Sequence, residues 1–392
     1  MKQSVNRRNF LRSSALGAAG VFTVSSVNAA NSKSPKHKTK ENNFIYRTLG
    51  NTGLKLPIVS LGVMRVDNPK LVTASLNAGL VHLDSAHVYQ DGRNEEMLGE
   101  LLEDYDRDSF VISSKILTRD VETTEEFIKK FETSLDRLKM DYVDILYLHA
   151  SSSREHTLDE RWINALRKLK EEGKTRFVGV STHKNEPEVL RAAIESKLYD
   201  IVLTAYNYRM EHFKEVKQAI AEAANAGIGI VAMKTMAGVY LDKEKTKKVN
   251  TKAALKWALQ DKNVHTSIPG CTAFEHLEEN LEVAQNIEFT EEEKKDIETT
   301  GRDISMFCTG CSDCEKQCPH GVPVPELMRA YMYTYGYKDL ALGKQVLNEI
   351  NVDSSVCENC DECLVQCRSG FNIAEKTRDI IRLKQVPDDL LV

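Results

Sequence analysis

Four side chains that can move or stabilise a proton stand close to the ends of short apolar runs: Asp84, Tyr89, Lys115 and His149. Hydride addition to a carbonyl leaves an alkoxide, so an acid has to lie within hydrogen-bond reach of the reacting oxygen. Tyr89 is a candidate acid, although a free phenol has a pKa of about 10. We expect Lys115 to lower the pKa of that phenol and Asp84 to hold the ammonium. His149 would orient the carbonyl or share in the proton relay.

Each of these residues alone also has an ordinary structural interpretation. A tyrosine near a strand end usually packs with its hydroxyl at the surface, and a lysine there usually faces water. A histidine after an apolar run is more often structural than catalytic. The order of the four residues on successive strand ends is what favours catalysis.

The elements that would position these residues repeat along the chain. Short runs rich in β-branched residues are each followed by apolar residues at helical spacing, which is typical of a buried parallel strand and its crossover helix. The predicted strands are Ile58 to Met64, one ending at Asp84, one ending at Lys115, one ending at His149, Phe177 to Ser181, Ile201 to Tyr206, Ile228 to Met233 and Val264 to Ile268. Eight such units predict a (β/α)8 TIM barrel, in which catalytic groups come from the C-terminal ends of several strands. Phe44 to Pro57 is predicted to form a hairpin that plugs the bottom of this barrel.

Between Phe44 and Ile287 the sequence around these residues resembles that of the aldo-keto reductases. The pattern D-x-A-x-x-Y…G-x-x-E-x-x-x-G is matched by Asp84, Ala86, Tyr89, Gly92, Glu95 and Gly99. Ile268-Pro269-Gly270 and Glu279-Asn280 fit a late cofactor segment of the same family. The resemblance implies that Asp84, Tyr89, Lys115 and His149 are a catalytic tetrad and that the cofactor is NADP or NAD.

The resemblance also implies a set of nucleotide-binding residues: Ser181, Asn207, Lys234, Gly270, Cys271, Glu279 and Asn280. The chain departs from the family here. Leu203 stands where the family has a glutamine, and Lys234 stands where an aromatic ring normally stacks on the nicotinamide. Gly270 and His276 replace the basic pair that recognises a 2′-phosphate, so these letters do not separate NADP from NAD. The loop from Pro269 to Thr272 leads into a predicted helix N-terminus, which favours a phosphate.

Eight of the nine cysteines lie in two C-x2-C-x2-C-x3-C runs after residue 300. This spacing resembles bacterial ferredoxins with two [4Fe–4S] clusters, in which each run gives its fourth cysteine to the other cluster. The resemblance assigns Cys308, Cys311, Cys314 and Cys367 to one cluster and Cys357, Cys360, Cys363 and Cys318 to the other. Disulfides and zinc are the alternatives. Zinc leaves the C-x3-C element without a purpose, and cysteines two residues apart are poorly placed to bond to one another. Cys271 is left over as a small buried residue.

Composition and the N-terminus bear on partners and compartment. The chain has 392 residues, 41% hydrophobic and 28% charged, with a net charge of −5, which argues against a nucleic-acid partner. Arg7-Arg8 before Phe10-Leu11, followed by a weakly apolar run to Ala30, resembles a twin-arginine signal peptide. A disordered basic tail is the alternative. After Ala30 the sequence contains no run of about 18 apolar residues, so we expect no membrane span there.

These observations predict a signal peptide (1–30), a linker (31–43), the barrel (44–300) and a ferredoxin-type domain (301–392). We expect a periplasmic oxidoreductase that transfers hydride between a nicotinamide cofactor and a small carbonyl or alcohol, with two clusters for electron transfer and room for a redox partner protein. The alternative is an electron-transfer or assembly module that keeps the barrel as a scaffold without turnover. The intact set of four residues favours the enzyme.

Overall fold

The structure is a computed structural model that describes residues 42–236, 238, 248–300, 307–308, 310–350, 352, 357, 360, 363–367 and 370–391. The predicted signal peptide and most of the predicted linker lie outside these ranges. The barrel and the cysteine-rich tail belong to one compact unit.

A small antiparallel hairpin closes one end of the barrel. Its strands are β1 (Tyr46–Thr48) and β2 (Lys55–Pro57), joined by a tight turn. Gly50 in that turn has a φ of +51°, and a Cβ there would lie 2.3 Å from the backbone nitrogen of Gly229. The amide of Asn51 donates to the carbonyl of Gly227 at 2.8 Å. The hairpin therefore plugs the N-terminal end of the strands, as the sequence predicts.

Eight parallel strands form the barrel wall. They are β3 (Leu61–Gly62), β4 (His82–Asp84), β5 (Val111–Leu117), β6 (Val143–His149), β7 (Thr175–Thr182), β8 (Ile201–Ala205), β9 (Gly229–Met233) and β10 (Thr266–Ser267), paired in chain order. Bridges from Val59 to Ser267 and from Gly62 to Gly270 join the first strand to the last. This closure confirms the (β/α)8 barrel.

The seam between the first and last strands is less regular than the sequence predicts. The strand predicted from Ile58 to Met64 is reduced to the two residues of β3, because its pairing toward β10 consists of isolated bridges. A Cβ at Gly62 would lie 2.8 Å from the carbonyl oxygen of Ile268, so only glycine allows this approach.

The helices that cover the barrel begin and end at residues with capping chemistry. They are α1 (Pro69–Ala78), α2 (Arg93–Leu102), α3 (Thr124–Leu138), α4 (Arg154–Thr157), α5 (Glu160–Glu171), α6 (Glu186–Ser196), α7 (Phe213–Asn225), α8 (Thr251–Gln260) and α9 (Phe274–Gln285). The Asn68 side chain caps α1, and Thr123 forms a reciprocal capping box with Glu126 at the start of α3.

Two apolar layers hold the barrel together. An outer layer lies between the strands and the helices. The interior is filled by a second cluster: Leu49, Leu56, Ile145, Tyr147, Ile201, Leu203, Val231, Met233 and Ile268. Gly179 makes room for the largest of these, since a Cβ there would lie 2.5 Å from the Tyr147 ring. The barrel is thus a packed core rather than an open channel.

The tail adds a small helical domain with its own core. Its helices are α11 (Val324–Tyr331), α12 (Leu340–Glu349) and α13 (Ile373–Ile381), and a π-helical turn (Met332–Gly336) follows α11. Helix α10 (Glu291–Thr300) precedes them and packs on α8 of the barrel, where Glu293 pairs with Lys256 at 2.8 Å. Buried residues of α11, α12 and α13 pack with Cys314 and Val365 of the cysteine loops. Within the described residues, no helix combines the length and the apolar character that crossing a membrane requires.

Candidate functional site

The register of the sheet brings three of the four predicted catalytic residues to one face. Asp84 pairs with Ser113 two residues before Lys115, and His149 pairs with Leu117 two residues after it. Side chains alternate between the two faces of a strand. Asp84, Lys115 and His149 therefore all point into the barrel at the C-terminal ends of β4, β5 and β6.

Asp84 and Lys115 form a buried ion pair that reaches Tyr89. The Lys115 ammonium lies 2.6 Å from Asp84 Oδ2 and donates to the carbonyl of Ser85 at 2.5 Å and to the Tyr89 hydroxyl at 3.3 Å. The second Asp84 oxygen accepts from the Ser113 hydroxyl at 2.7 Å. The side chains of Lys115 and Asp84 are 1% and 2% exposed, so the pair is shielded from water. The three groups lie together as the sequence predicts, while their catalytic roles stay predictions.

The prediction that Lys115 lowers the pKa of Tyr89 is wrong for this state. Burial and the charge of Asp84 raise the pKa of Tyr89 well above its ordinary value. Asp84 already pairs with the ammonium, so the cation is not free to stabilise a phenolate. The phenol therefore keeps its proton at neutral pH.

His149 completes the group of four. Its ring meets that of Tyr89 edge to face, with 6.0 Å between the ring centroids. Burial, followed by the charge of Lys115, lowers the pKa of His149 well below its ordinary value, so the imidazole is neutral. Its Nδ1 is buried and has no hydrogen-bond partner among the described residues.

The other residues of the sequence motif have structural roles. Glu95 is fully buried and accepts hydrogen bonds from the Ser114 hydroxyl at 2.6 Å and from Arg137 at 3.4 Å. A Cβ at Gly92 would lie 2.3 Å from the Arg137 guanidinium, and one at Gly99 would lie 2.2 Å from the Arg137 carbonyl oxygen. The motif therefore fixes α2 against α3 and so sets the position of the turn that carries Tyr89.

At the predicted nicotinamide end, all three candidate residues already bond within the chain. The Ser181 hydroxyl accepts from the amide of Ala150 at 2.9 Å. The Asn207 amide donates to the carbonyl of Lys234 at 3.2 Å, and the Lys234 ammonium donates to the Tyr333 hydroxyl at 3.2 Å. This end is therefore filled by the protein's own groups.

The opposite end of the predicted nucleotide site is more open. Gly270 is exposed, and a Cβ there would meet nothing within 4 Å. Asn280 is 1% exposed, and its side-chain nitrogen has no hydrogen-bond partner among the described residues. Glu279 accepts from the Thr251 hydroxyl at 2.7 Å. Cys271 is buried, and burial raises the pKa of its thiol to about 12. Gly270 and Asn280 are thus available to a phosphate and a nucleoside, whereas Cys271 packs as the sequence predicts.

The tail lies over the C-terminal face of the barrel. Five barrel segments contact it, each following a strand. The polar contacts are Arg65 with Asp339 (3.1 Å), Val88 O with Gln345 (3.5 Å), Arg119 with Glu326 (3.1 Å) and Glu349 (2.7 Å), Lys184 with Glu315, and Lys234 with Tyr333 (3.2 Å). The tail therefore closes the end of the barrel at which the four residues lie.

Sequence reasoning missed three residues at this end: His183 after β7, and Arg329 and Tyr333 of the tail. The charge of Arg329 helps to lower the pKa values of His149 and His183 and acts in the same direction on the pKa of Tyr89. Burial alone would raise the pKa of Tyr333, but Lys234 and Arg329 bring it below its ordinary value. The only signal for the two tail residues is that both belong to the aromatic segment between the two cysteine runs, residues 325–351.

The cysteines of the tail fall into the two predicted sets. One cavity is lined by Cys318 of the first run together with Cys357, Cys360 and Cys363 of the second. Burial raises the pKa of Cys308 to about 12, and the next charges that raise it are those of Cys314, Cys311 and Cys367. None of the nine cysteines, all of which lie in the described ranges, forms a disulfide. The neighbours of Cys318 and Cys308 are those of the predicted crossed sets, while no group of three or more His, Cys, Asp or Glu side chains among the described residues is arranged to hold a metal ion. The assignment of the eight cysteines to two clusters stays a prediction.

Known proteins resemble both parts of the chain. Residues 58–252 match the model of the aldo/keto reductase family, and residues 307–371 match that of a 4Fe-4S dicluster domain. The chain is 26% identical over 302 residues to "Uncharacterized oxidoreductase YqkF" of Bacillus subtilis, covering 66% of this chain and 97% of that protein. It is 26% identical over 287 residues to L-galactose dehydrogenase of Arabidopsis thaliana, covering 62% and 88%.

A solved aldo-keto reductase, AKR11C1 from Bacillus halodurans, shares the fold. It superimposes with a TM-score of 0.56 at 20% identity, covering 66% of this chain and 96% of that one. The chain therefore contains an aldo/keto reductase family domain followed by a 4Fe-4S dicluster domain.

Proposed function

We propose that the protein is an oxidoreductase that moves hydride between a nicotinamide nucleotide and the carbonyl or alcohol of a small substrate, coupled to two [4Fe–4S] clusters. The proposed hydride transfer rests on one observation. The Lys115 ammonium lies between the Asp84 carboxylate, at 2.6 Å, and the Tyr89 hydroxyl, at 3.3 Å, at the end of the barrel that the tail covers. A tyrosine held in this way is suited to protonate a reacting oxygen.

Tyr89 acts in this proposal as a neutral acid. Because its pKa is raised, chiefly by burial, it gives up a proton only to a more basic group, and an alkoxide formed by hydride addition is such a group. Lys115 then stands beside the phenolate, and the neutral His149 orients the carbonyl oxygen. In the oxidative direction Tyr89 would have to start as the phenolate, because a neutral phenol cannot accept the proton of the substrate alcohol.

The proposal that a nucleotide binds rests on the residues at one end of its expected site. Gly270, which leaves open space, and Asn280, whose side-chain nitrogen has no partner among the described residues, can receive its phosphate and adenosine portions at the start of α9. When bound, the nucleotide supplies or accepts the hydride. At the other end, Ser181 and Asn207 must exchange their present partners for the nicotinamide amide.

The clusters are supported by the two sets of thiols. Cys308, Cys311, Cys314 and Cys367 would hold one cluster, and Cys318, Cys357, Cys360 and Cys363 the other. When bound, the clusters carry single electrons. A redox partner protein would exchange those electrons at the surface of the tail.

The test uses anaerobically prepared protein. Mass spectrometry of the released small molecules should identify a pyridine nucleotide, and added nucleotide should be oxidised with a small aldehyde or ketone. Tyr89→Phe should lower kcat by about a hundredfold or more, because it removes the group that stabilises the developing charge. Tyr46→Phe, at the exposed hairpin, is the matched control and should keep full activity. Equal activity of Tyr89→Phe and wild type would refute the assigned acid.

The filled nicotinamide end favours the second candidate, a module that keeps the barrel as a scaffold and only transfers electrons. In that case the protein should bind both clusters, bind no nucleotide and show no difference between the two tyrosine variants. The same experiments therefore separate the candidates.

We also propose export through the twin-arginine route, on the basis of Arg7 and Arg8. Replacing both by lysine should retain the protein in the cytoplasm, as measured by cell fractionation. Secretion of the variant at the level of wild type would refute this proposal.

A further inference from the structure

The covered end of the barrel holds three buried side-chain nitrogens that lack a hydrogen-bond partner among the described residues. Nδ1 of His149, Nδ1 of His183 and Nε of Arg329 are buried and have no hydrogen-bond partner within the described part of the chain. His149 is 8% exposed and the Arg329 side chain 16%. Buried polar groups in folded proteins are nearly always paired, so an unpaired group points to a missing ligand or water. Three of them in one region indicate a place for a polar ligand.

The same region holds a positive charge without a matching carboxylate. Arg119 and Arg329 are matched by Glu326 and Glu349: Arg329 lies 2.5 Å from Glu326, and Arg119 binds both glutamates. The Lys234 ammonium contacts no carboxylate among the described residues. It rests instead on the Tyr333 hydroxyl and on the rings of Tyr333 and Tyr337, at 4.7 Å and 5.2 Å.

The backbone of Lys234 is also unusual. Its φ is +56°, in the left-handed region that a residue with a Cβ rarely adopts. Such conformations persist where the surrounding structure holds them, and they accumulate at binding and catalytic sites. Here the conformation places a lysine directly after β9, at the end of the barrel where Lys115 and His149 lie.

We propose that Lys234 and Arg329 bind a carboxylate of the substrate, so that the enzyme acts on small compounds that carry a carboxylate next to the reacting carbonyl or alcohol. This inference rests on the proposed function and names its substrate class. The carboxylate accepts hydrogen bonds from the Lys234 ammonium and from Nε of Arg329. The reacting oxygen is then left to Tyr89 and His149.

The proposal gives the tail a part in substrate recognition. Lys234 belongs to the barrel and Arg329 to α11, so the anion site exists only when the tail is docked. A carboxylate offsets the surplus charge of Lys234 and pairs the free donor of Arg329. A neutral aldehyde does neither, because it leaves a buried ammonium without a counter-charge.

The experiment compares short 2-oxo acids with their methyl esters in the holoprotein. For wild type, kcat/KM should be at least tenfold higher for the acids. Lys234→Gln and Arg329→Gln should each raise KM for the acids about tenfold or more and change KM for the esters less than threefold. Arg329→Lys, which keeps the charge, should recover part of the affinity. Lys168→Gln and Arg154→Gln, both at exposed positions, are the matched controls and should behave as wild type.

A second readout does not depend on turnover. Calorimetry with oxamate, an unreactive carboxylate, should show binding to wild type and to both controls, and at least tenfold weaker binding to Lys234→Gln and Arg329→Gln. Equal oxamate binding by all variants, or esters that react as well as acids, would overturn the anion site. Absence of any turnover with intact, variant-sensitive oxamate binding would refute the proposed function and leave the anion site standing.

Discussion

Gly310 of the tail packs directly on the backbone of His183 in the barrel: a Cβ at position 310 would lie 2.6 Å from the His183 carbonyl oxygen. Gly310 lies between two cysteines of the first run, and its amide donates to the Cys308 sulfur at 3.4 Å. Gly310 therefore contacts both a predicted cluster ligand, Cys308, and the rim of the predicted active site at His183. The docking of the tail and the geometry of the cluster loop depend on the same glycine.

Gly310→Ala should loosen the tail from the barrel. Gly310 has a φ of +83°, and Gly321 has a φ of +66° but a Cβ there would meet nothing within 4 Å, which makes Gly321→Ala the matched control. Both substitutions cost about 1–2 kcal/mol for the left-handed backbone. Only Gly310→Ala adds the contact with His183. It should therefore give the lower unfolding temperature and faster proteolysis between the barrel and the tail, and equal behaviour of the two variants would contradict this docking.

The Asp84–Lys115 pair should dominate the stability of the barrel mouth. Removing one partner leaves a buried charge without compensation, so Asp84→Asn or Lys115→Met should each destabilise the protein by about 3–5 kcal/mol. The double variant should lose less than the sum of the two. Lys130→Met, which removes an exposed pair with Asp120, is the control and should cost about 0–1 kcal/mol. Denaturant unfolding measures all four, and additive losses would show that the two groups do not interact.

Stability should fall as the pH drops below about 6.5. His82 is fully buried between the Ser60 and Ser113 hydroxyls, at 3.1 Å and 3.3 Å, and burial lowers its pKa to about 4. The unfolded chain takes up the proton at about pH 6.5, whereas the folded protein resists it until about pH 4. The contribution is fully present above pH 6.5 and is lost as the pH falls toward 4. The contribution of His82 to the free energy of unfolding is about 3 kcal/mol, because its pKa is lowered from 6.5 to about 4 and each pKa unit corresponds to about 1.4 kcal/mol.

His82→Gln should therefore flatten part of the pH dependence of the unfolding free energy between pH 6.5 and 4. His87, His149 and His183, whose pKa values are also lowered, keep the remaining slope. Unfolding curves at several pH values check this. A slope identical to that of wild type would mean that His82 is protonated equally in both states.

The barrel and the common location of Asp84, Lys115 and His149 could be predicted from the sequence. Side chains alternate along each strand, and this period of two residues determines which of them share a face. The spacing of the cysteines likewise predicts an iron–sulfur domain, and residues 307–371 match the model of a 4Fe-4S dicluster domain. The roles of Arg329 and Tyr333 depend on how two remote parts of the chain pack, and no local pattern encodes that packing. The predicted pKa of Tyr89 was wrong for a similar reason. The residue type shows that Lys115 is charged, whereas the burial of the Tyr89 phenol depends on how remote parts of the chain pack.

The crossing of the two cysteine runs can be tested ligand by ligand. Cys318 follows Cys314 in the sequence but shares a cavity with Cys357, Cys360 and Cys363. Cys318→Ser and Cys357→Ser should therefore perturb the same cluster, and Cys308→Ser should perturb the other one. Anaerobic iron analysis should show a loss of up to about half of the iron in each variant, because each holds one of the two clusters. Electron paramagnetic resonance of the reduced protein should show the same altered signal for the first two and a different one for Cys308→Ser, while Cys271→Ser should match wild type. If Cys318→Ser instead altered the signal that Cys308→Ser alters, each run would serve its own cluster.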